Sequence, residues 1–274
     1  MAHIYVYSPS SAVRDKAAFR RGVKRLQALG HEVEVDEAAL AVHMRFAGDD
    51  ATRLAAIHRA AASGADVALI SRGGYGLTRI LPGIAYKKVA QAIDGGTQFV
   101  GLSDFTAFQL ALLAKTGAIS WAGPALGEDF GVEGEPDDIM EACFDDLVQD
   151  QGEGAGWRLP LPPRRKTPEL IAEPDHSATG SGQKAIKNAV LWGGNLSVLV
   201  SLLGTPYWPD VKGGVLFIED VNEHPFRIER MLTQLLHAGV LARQKAIVFG
   251  QFTGIRLAPH DKGYRLATVV DWLR

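Results

Sequence analysis

The sequence predicts an α/β protein whose main sheet is mostly parallel and carries helices on both faces. Short apolar runs alternate with amphipathic stretches through the first half of the 274-residue chain. Two of these runs, Val67–Ile70 and Phe99–Leu102, are continuously apolar, which is typical of parallel strands buried on both faces. The intervals between runs are long enough for a helix, and such βα alternation produces a parallel sheet.

Strands and helices alternate in order along the first half of the chain. The predicted strands are Ile4–Tyr7, Glu32–Val35, Val67–Ile70, Phe99–Leu102 and Ile119–Ala122. The predicted helices are Val13–Leu29, Asp49–Ala62, Tyr86–Ile93 and Asp104–Lys115. The first helix shows the reasoning, because Ala17, Val23 and Leu26 share one face and Gly30 stops it.

The composition changes between about Gln149 and Gly182, where proline, glycine and polar residues dominate. Such composition is typical of a linker or an irregular crossover. We therefore predict an N-terminal domain over residues 1–150, a linker over 151–182 and a C-terminal domain over 183–274. The predicted elements of the last part are strands Ala189–Trp192, Val215–Ile218 and Ala246–Phe249, a GGN loop after the first strand, and a helix over Phe226–His237.

Composition and charge exclude several classes of function. The chain is 47% hydrophobic and 22% charged, with a net charge of -2, and no basic stripe stands out, so we expect no nucleic-acid partner. The first eight residues lack the features of a signal peptide. No apolar run approaches the roughly 18 residues of a membrane span. We therefore expect no membrane partner and a cytoplasmic location.

The segment Ser71–Gly76, with the sequence SRGGYG, directly follows the predicted strand Val67–Ile70. Two adjacent glycines after a strand let the backbone approach a ligand and point its amide groups outward. The pattern indicates either an anion or oxyanion cradle or an ordinary tight turn, and the glycines alone leave both open. It matches neither the dinucleotide-binding motif nor the Walker A motif.

Ser103 stands where the predicted strand Phe99–Leu102 meets the following helix. A serine there projects its hydroxyl group at the ligand-binding edge of the sheet, as the nucleophile of α/β-hydrolases does. Asp104 places a backbone N–H at the helix N-terminus, where developing negative charge is stabilised. The G-x-S-x-G motif is not matched, however, and a helix N-cap is the favoured interpretation of this segment taken alone.

Glu219 and Asp220 follow the predicted strand Val215–Ile218. A carboxylate at a strand end can orient an imidazole in a Ser-His-acid arrangement, and Glu219 is the residue that we single out for this role. The WGGNLS segment after another strand resembles the first Gly-Gly turn. We interpret it as a βα turn with Asn195 as the helix N-cap.

The eight histidines form no metal-ligand pattern, because neither H-E-x-x-H nor a paired C-x-x-C occurs. We expect no metal site and no cofactor. The single cysteine, Cys143, lies at helical spacing from Ile139 and Leu147. This spacing predicts a buried structural thiol.

Taken together, these segments resemble the LD-carboxypeptidase family, which comprises the murein tetrapeptide carboxypeptidases and their relatives, the microcin-immunity peptidases. The motifs, in family order, are SPSS at Ser8–Ser11, RGGYG at Arg72–Gly76, GLSDFTA at Gly101–Ala107, GP at Gly123–Pro124, GGNLS at Gly193–Ser197, GTPY at Gly204–Tyr207, EDVNE and RIER within Glu219–Arg230, and GQFTG at Gly250–Gly254. They cover nearly the whole chain, and their combination is specific. The resemblance favours Ser103 as a nucleophile over the N-cap interpretation.

The resemblance implies an N-terminal α/β sandwich, a smaller C-terminal β/α domain and an active site between them. It implies a Ser-His-Glu triad with Ser103 as nucleophile and Glu219 as acid, and an oxyanion hole formed by the backbone N–H groups of Gly74 and Asp104. The implied reaction is hydrolysis of the L,D amide bond to the terminal D-alanine of murein tetrapeptide in cell-wall recycling. The implied partners are this small peptide and a second copy of the chain in a homodimer.

The histidine that the family places several dozen residues after the acid is not matched. The chain stops at Arg274, inside the helix expected over Leu266–Leu273, and His260 lies in a loop outside the family motif. Three explanations stay open: a longer chain, a substitute such as His260, or loss of the base. Without a base we expect low or undetectable peptidase activity.

Two further functions stay open beside the peptidase. One is a microcin-type hydrolase of an aminoacyl-nucleotide-like amide, for which an aromatic stacking group beside the site would speak. Trp157, Trp192 and Trp208 are candidates, although packing is the expected role of each. The other is a non-catalytic binding protein that keeps the cleft without the base.

Overall fold

A computed structural model describes residues 1–149, 151 and 186–273, and these residues form two sheets. The larger sheet has five parallel strands in the order β2-β1-β3-β4-β5. Its strands are β1 (His3–Tyr7), β2 (Glu32–Val35), β3 (Val67–Ile70), β4 (Gln98–Gly101) and β5 (Trp121–Ala122). The predicted α/β class with a mostly parallel sheet is confirmed.

The smaller sheet lies in the C-terminal part of the chain and has three parallel strands in the order β6-β7-β8. Its strands are β6 (Leu191–Asn195), β7 (Val215–Val221) and β8 (Ala246–Thr253). The α-helices of the described residues are α1 (Lys16–Ala28), α2 (Asp50–Ala62), α3 (Leu77–Ile80), α4 (Tyr86–Asp94), α5 (Thr106–Thr116), α6 (Asp138–Gln149), α7 (Leu196–Ser201), α8 (Pro225–His237) and α9 (Leu266–Leu273). Within the described ranges, no helix combines the length and apolarity that crossing a bilayer requires.

The strand order of the larger sheet determines where a ligand can bind. The chain moves from β1 to β2 on one side and then to β3, β4 and β5 on the other, so the direction of winding reverses between β1 and β3. In open parallel sheets, ligands bind at the carboxyl ends of the strands beside such a reversal. The loops after β1, β3 and β4 meet at this edge.

The side chains of β3 show how a continuously apolar strand is used. Val67 and Leu69 pack into the core on one face of the sheet, together with α1 residues such as Phe19 and Leu26. Ala68 and Ile70 pack into the core on the other face, because successive strand residues point to opposite sides. That second core is continuous with the residues that cover the smaller sheet.

Helix α5 joins the two sheets. Six of its residues are buried, namely Thr106, Ala107, Phe108, Leu110, Ala111 and Leu112, because it packs against the larger sheet on one side and against β6 and α7 on the other. A helix that is apolar on nearly all of its faces is buried by neighbouring elements on nearly all of them. The same helix begins directly after the Ser103 turn, so packing between the sheets also positions that turn.

The GGN segment, predicted as a loop, is the end of β6 instead. Gly193 and Gly194 pair in register with Phe217 and Ile218 of β7. A strand ladder uses backbone N–H and C=O groups and requires no side chain, and the missing side chain lets β6 approach α5. A Cβ atom on Gly194 would lie 2.5 Å from Thr106 Oγ1, which in turn accepts a hydrogen bond from Asn195 N at 3.0 Å.

Other predicted boundaries shift for identifiable reasons. Helix α1 begins three residues later than expected, at Lys16, because the Asp15 side chain accepts from the N–H groups of Ala17 and Ala18. Strands β7 and β8 run past their predicted ends because their polar and glycine-containing tails still pair. Strand β5 is shorter than predicted, since only its last two residues pair with β4.

Two other predictions from the sequence concern residues in and after α6. The predicted linker, residues 151–182, lies outside the described residues except for Gln151, and the domain boundaries stay a prediction. Cys143 was expected to be buried, and this was wrong, because its side chain is exposed. The buried residue of α6 is the next one, Phe144, so the face through Ile139 and Cys143 is rotated away from the core.

We expect Gly194→Ala to destabilise the protein more than Gly204→Ala, a matched control with φ +80° and nothing within 4 Å of the added methyl group. Both substitutions place alanine at positive φ, at a cost of roughly 1–2 kcal/mol. Only the first also collides with Thr106, which adds about 1–3 kcal/mol. Urea-induced unfolding measures both values, and equal losses would contradict the proposed tight contact between β6 and α5.

Candidate active site

Ser103 occupies a strained turn at the carboxyl end of β4. It begins the short 3₁₀ turn Ser103–Phe105 that leads into α5, and its φ of +62° lies in the left-handed region. For a residue other than glycine this conformation costs roughly 1–2 kcal/mol. The sharp reversal after a buried strand turns the side chain out of the sheet at its ligand-binding edge, as a nucleophile elbow does.

The glycine loop after β3 lies directly over this serine. A Cβ atom on Gly73 would be 2.8 Å from Ser103 Cβ and 3.0 Å from Ser103 Oγ, so only glycine allows the approach. Gly74, with φ +108°, packs in turn against Ser11 of the loop after β1. The Ser11 hydroxyl group accepts from Tyr75 N at 3.0 Å. The two motifs SPSS and RGGYG therefore form one wall beside Ser103.

The buried carboxylate of Asp104 connects three loops. Its Oδ2 atom accepts from Ser10 Oγ at 2.7 Å, in the loop after β1, and from Leu77 N at 2.9 Å, at the end of the loop after β3. Burial raises the pKa of Asp104, and the hydrogen bonds from Leu77 and Ser10 offset part of the rise. Asp104 thus fixes the loops after β1 and β3 relative to its own neighbour, Ser103.

Arg53 of α2 holds the same two loops from the other side. Its side chain is fully buried, and its guanidinium group donates to Pro9 O at 3.2 Å and to Gly76 O at 2.8 Å. It also pairs with Asp50 at 2.5 Å. A buried charge needs several such partners to be tolerated, and here the partners are the carbonyl groups of the loops that surround Ser103.

Ser103 and Glu219 line a single cavity of about 870 Å³ between the two sheets. Glu219 lies in β7 rather than after it, because the strand continues to Val221. The other walls come from β5 and the loop that follows it, and from α6, β6 and α5. Representative lining residues from these parts are Trp121, Glu128, Phe144 and Asn195.

The Glu219 carboxyl group is half-buried and forms a hydrogen bond with Asn195. Burial raises the pKa of Glu219, the neighbouring charge of Asp220 raises it further, and the Asn195 hydrogen bond lowers it in part. Asn195 also donates from Nδ2 to Asp220 Oδ1 at 3.0 Å. As predicted, its own Oδ1 caps α7 by accepting from Val198 N at 3.1 Å, so this one side chain joins the helix start to both carboxylates.

None of the histidines in the described ranges lines this cavity. The side chain of His260 is 87% exposed, and His224 Nε2 lies 3.0 Å from Asp261 Oδ2. Across residues 1–149 and 186–273, no three potential ligand side chains are grouped in a way that could hold a metal ion. Within the described residues, the lining of the cavity therefore offers a serine and several carboxylates but no imidazole.

The structure brings together more residues than the sequence analysis identified. Trp192 is buried and packs edge-to-face on Trp208 with the ring centroids 5.5 Å apart, while Trp157 lies outside the described residues. The tryptophan that lines the cavity is instead Trp121, at the end of β5. Glu128 was also missed, although its position after a parallel strand was a signal that could have found it.

Two family models match the chain. The model for the LD-carboxypeptidase N-terminal domain matches residues 4–123, and the model for the LD-carboxypeptidase C-terminal domain matches residues 188–273. Among curated proteins, "Probable murein peptide carboxypeptidase" of Bacillus subtilis is 30% identical over 251 residues, which are 90% of this chain and 71% of that protein. "Microcin C7 self-immunity protein MccF" of Escherichia coli is 28% identical over 192 residues, which are 65% of this chain and 54% of that protein.

A solved structure shows the same fold. The crystal structure of muramoyltetrapeptide carboxypeptidase from Oxalobacter formigenes superposes with a TM-score of 0.78 at 34% identity. The match covers 99% of this chain and 84% of that one. The two parallel sheets and their order along the chain therefore belong to a fold that is known from a solved structure.

We expect Asp104→Ala to lower the free energy of unfolding by about 2–4 kcal/mol, because the Ser10 hydroxyl group and the Leu77 N–H would be left buried without a partner. Asp104→Asn is the matched control, since its carbonyl oxygen can still accept at the position of Oδ2. Its loss should be at most about half as large. Urea titrations at pH 7 measure both, and an alanine variant as stable as the wild type would contradict the role assigned to this carboxylate.

Glu219→Gln should be more stable than the wild type at pH 7. Because the pKa of Glu219 in the folded protein lies above its ordinary value of 4.5, the folded state binds the proton more tightly than the unfolded chain does. The contribution of Glu219 to wild-type stability therefore falls as pH rises from 4.5 through the folded pKa. The advantage of the variant should vanish below pH 4.5, whereas the exposed control Glu135→Gln should match the wild type throughout. Thermal unfolding across this pH range decides the matter, and a pH-independent difference would exclude the raised pKa.

Proposed function

This chain belongs to the LD-carboxypeptidase family, and from that premise we propose that it is a serine carboxypeptidase acting on murein tetrapeptide. The bond hydrolysed would be the L,D amide bond between the diamino acid and the terminal D-alanine, as in cell-wall recycling. The observation that supports this most directly is the position of Ser103, strained at a strand end, in the same cavity as Glu219. The names of the relatives from Bacillus subtilis and Oxalobacter formigenes point to the same substrate class.

In the proposed reaction, Ser103 Oγ attacks the carbonyl carbon of the diamino acid while a base takes its proton. The C–N bond then breaks, D-alanine leaves with that proton on its amine, and an acyl-enzyme remains. Water hydrolyses the ester by the same steps in reverse. The tetrahedral oxyanion would be stabilised by the backbone N–H groups of Asp104 and Gly74. Asp104 directly follows Ser103, and Gly74 follows Gly73, which packs on Ser103.

Glu219 is proposed to orient the base and to stabilise its charged form, the role of the acid in a Ser-His-acid triad. The proposed base is a histidine. His260 is exposed and His176 lies outside the described residues, so we assign the base to neither. The homodimer and the cytoplasmic location expected from the sequence stay predictions.

A second candidate function is favoured by one feature of the cavity. Trp121, which is 45% exposed, presents an aromatic surface in the cavity that Ser103 also lines, and a nucleobase could stack on it. This would suit hydrolysis of an aminoacyl-nucleotide-like amide. The relative MccF has been crystallised with aspartyl sulfamoyl adenosine, and that compound is the appropriate comparison substrate.

We expect the wild-type protein to release D-alanine from murein tetrapeptide and Ser103→Ala to abolish release by at least about 10³-fold. The melting temperature should not fall, because the substitution removes only the hydroxyl group. Release is measured with a coupled D-amino acid oxidase assay, and aspartyl sulfamoyl adenosine is tested in parallel by chromatography.

The outcomes separate the three functions. Cleavage of the tetrapeptide alone supports the carboxypeptidase, and cleavage of the sulfamoyl adenosine alone supports the nucleotide-type hydrolase. Binding of tetrapeptide by calorimetry with no turnover supports a non-catalytic binding protein. Turnover that survives in the Ser103→Ala variant would overturn the assignment of the nucleophile.

A further inference from the structure

We propose that Arg72 is the residue that binds the terminal carboxylate of the substrate, and that Glu128 is the counter-ion of Arg72 while the site is empty. A carboxypeptidase must distinguish a free carboxylate from a continuing chain, and a cation near the scissile bond does this. The inference rests on the proposed function and adds to it the residue that makes the enzyme act at a chain terminus.

The position of Arg72 suits this role. Arg72 begins the RGGYG loop beside the reversal between β1 and β3, and its Nη1 contacts Ala12 O at 3.4 Å across that gap. Its Nη2 lies 3.4 Å from Glu128 Oε1, and the other oxygen of Glu128 accepts from Gly73 N at 3.3 Å. Gly73 is the residue packed on Ser103.

The guanidinium group is thus linked to the nucleophile through successive contacts: Arg72 with Glu128, Glu128 with Gly73, and Gly73 with Ser103. In a substrate, the terminal carboxylate carbon is only two bonds beyond the scissile nitrogen, so its oxygens lie about 4–5 Å from the attacked carbonyl carbon. Arg72 would therefore need to reach a carboxylate that lies only about 4–5 Å from the carbon that Ser103 attacks. Glu128, whose carboxylate contacts both Arg72 Nη2 and Gly73 N, would give way to the carboxylate of the substrate.

Arg72 also has hydrogen-bonding capacity to spare. Both of its contacts are at 3.4 Å, the long limit for a hydrogen bond, and its buried Nε has no hydrogen-bond partner among the described residues. By contrast, Arg59 binds Asp36 with two hydrogen bonds of 2.7 and 2.9 Å. A guanidinium group has five donors in a fixed fork that fits a carboxylate. The guanidinium group of Arg72 is therefore held less tightly than that of Arg59 and is available to a ligand.

The charges around the cavity limit where an anion can go. Its lining residues within the described ranges include four carboxylates, those of Glu128, Asp129, Asp146 and Glu219, and neither lysine nor arginine. Elsewhere in the cavity, a terminal carboxylate would face like charges at close range, which disfavours binding. Within the described ranges, Arg72 is the arginine that forms an ion pair with a lining residue, Glu128. The substrate terminus is thus directed to the end of the cavity at which Arg72 meets Glu128.

The test uses murein tetrapeptide and its C-terminal D-alaninamide, which differ only in the terminal carboxylate. For wild type, Arg72→Lys and Arg72→Met, kcat and KM are measured for both substrates. We expect the wild type to prefer the free acid, Arg72→Met to raise KM for the acid about 10- to 100-fold, and Arg72→Lys to retain part of the preference because it keeps the charge without the fork. The amide should respond little.

Two further variants separate ligand binding from structure. Arg79→Met removes a charge from an exposed ion pair with Asp50 and should behave as the wild type does. Glu128→Gln still offers an oxygen to Gly73 N but no longer competes as an anion, so KM for the acid should fall about 3- to 10-fold. A purely structural ion pair predicts the opposite, a loss for both substrates.

The inference is overturned if Arg72→Met affects acid and amide equally, or if Glu128→Gln weakens binding of the acid. In both cases wild-type cleavage of tetrapeptide would leave the proposed function intact. If the wild type neither cleaves nor binds tetrapeptide, the proposed function fails and this inference fails with it.

Discussion

The geometry around Ser103 depends on one buried carboxylate. Asp104 follows the serine directly, and its Oδ2 atom accepts from both Ser10 and Leu77, which belong to loops at the ends of different strands. A carboxylate that is buried away from water needs hydrogen bonds from the protein. Here both hydrogen bonds come from the loops that form the wall beside Ser103. The side chain that stabilises the turn is thus the one that assembles the wall of the site.

Two buried ionisable side chains hold the loops at this edge of the sheet. Arg53 donates to backbone carbonyl groups of the same two loops from the side of α2, and Asp104 accepts from the side of α5. Loops of this kind are ordinarily the mobile part of an α/β protein. Here the hydrogen bonds from Arg53 and to Asp104 hold these loops in place. That rigidity allows a glycine backbone to remain in contact with a serine in a left-handed conformation, because neither neighbour can relax away.

The carboxylates of Asp104 and Glu219 have different environments. Asp104 is buried and acts through the loops that it connects, while Glu219 is half-buried, lines the cavity and has a pKa that is raised by burial and by Asp220. Raised pKa values at cavity residues are common at functional sites, where stability is exchanged for reactivity. Glu219 and Ser103 belong to different sheets, so the packing of α5 between those sheets sets their relation.

The sequence by itself determined the class of fold and the order of its elements, because these follow from local patterns, and the family resemblance made Ser103 and Glu219 candidate site residues. Apolar runs with helix-length intervals specify a parallel sheet, and Ser103 and Glu219 could be found at strand ends in recognisable motifs. The sequence did not predict contacts between residues that are distant in the chain. Nothing local shows that Gly194 of the GGN segment extends a strand in order to reach Thr106, that Arg53 holds two loops, that Cys143 faces outward or that Trp121 lines the cavity. Tertiary structure decided these features, because each depends on which surfaces the two sheets bring into contact.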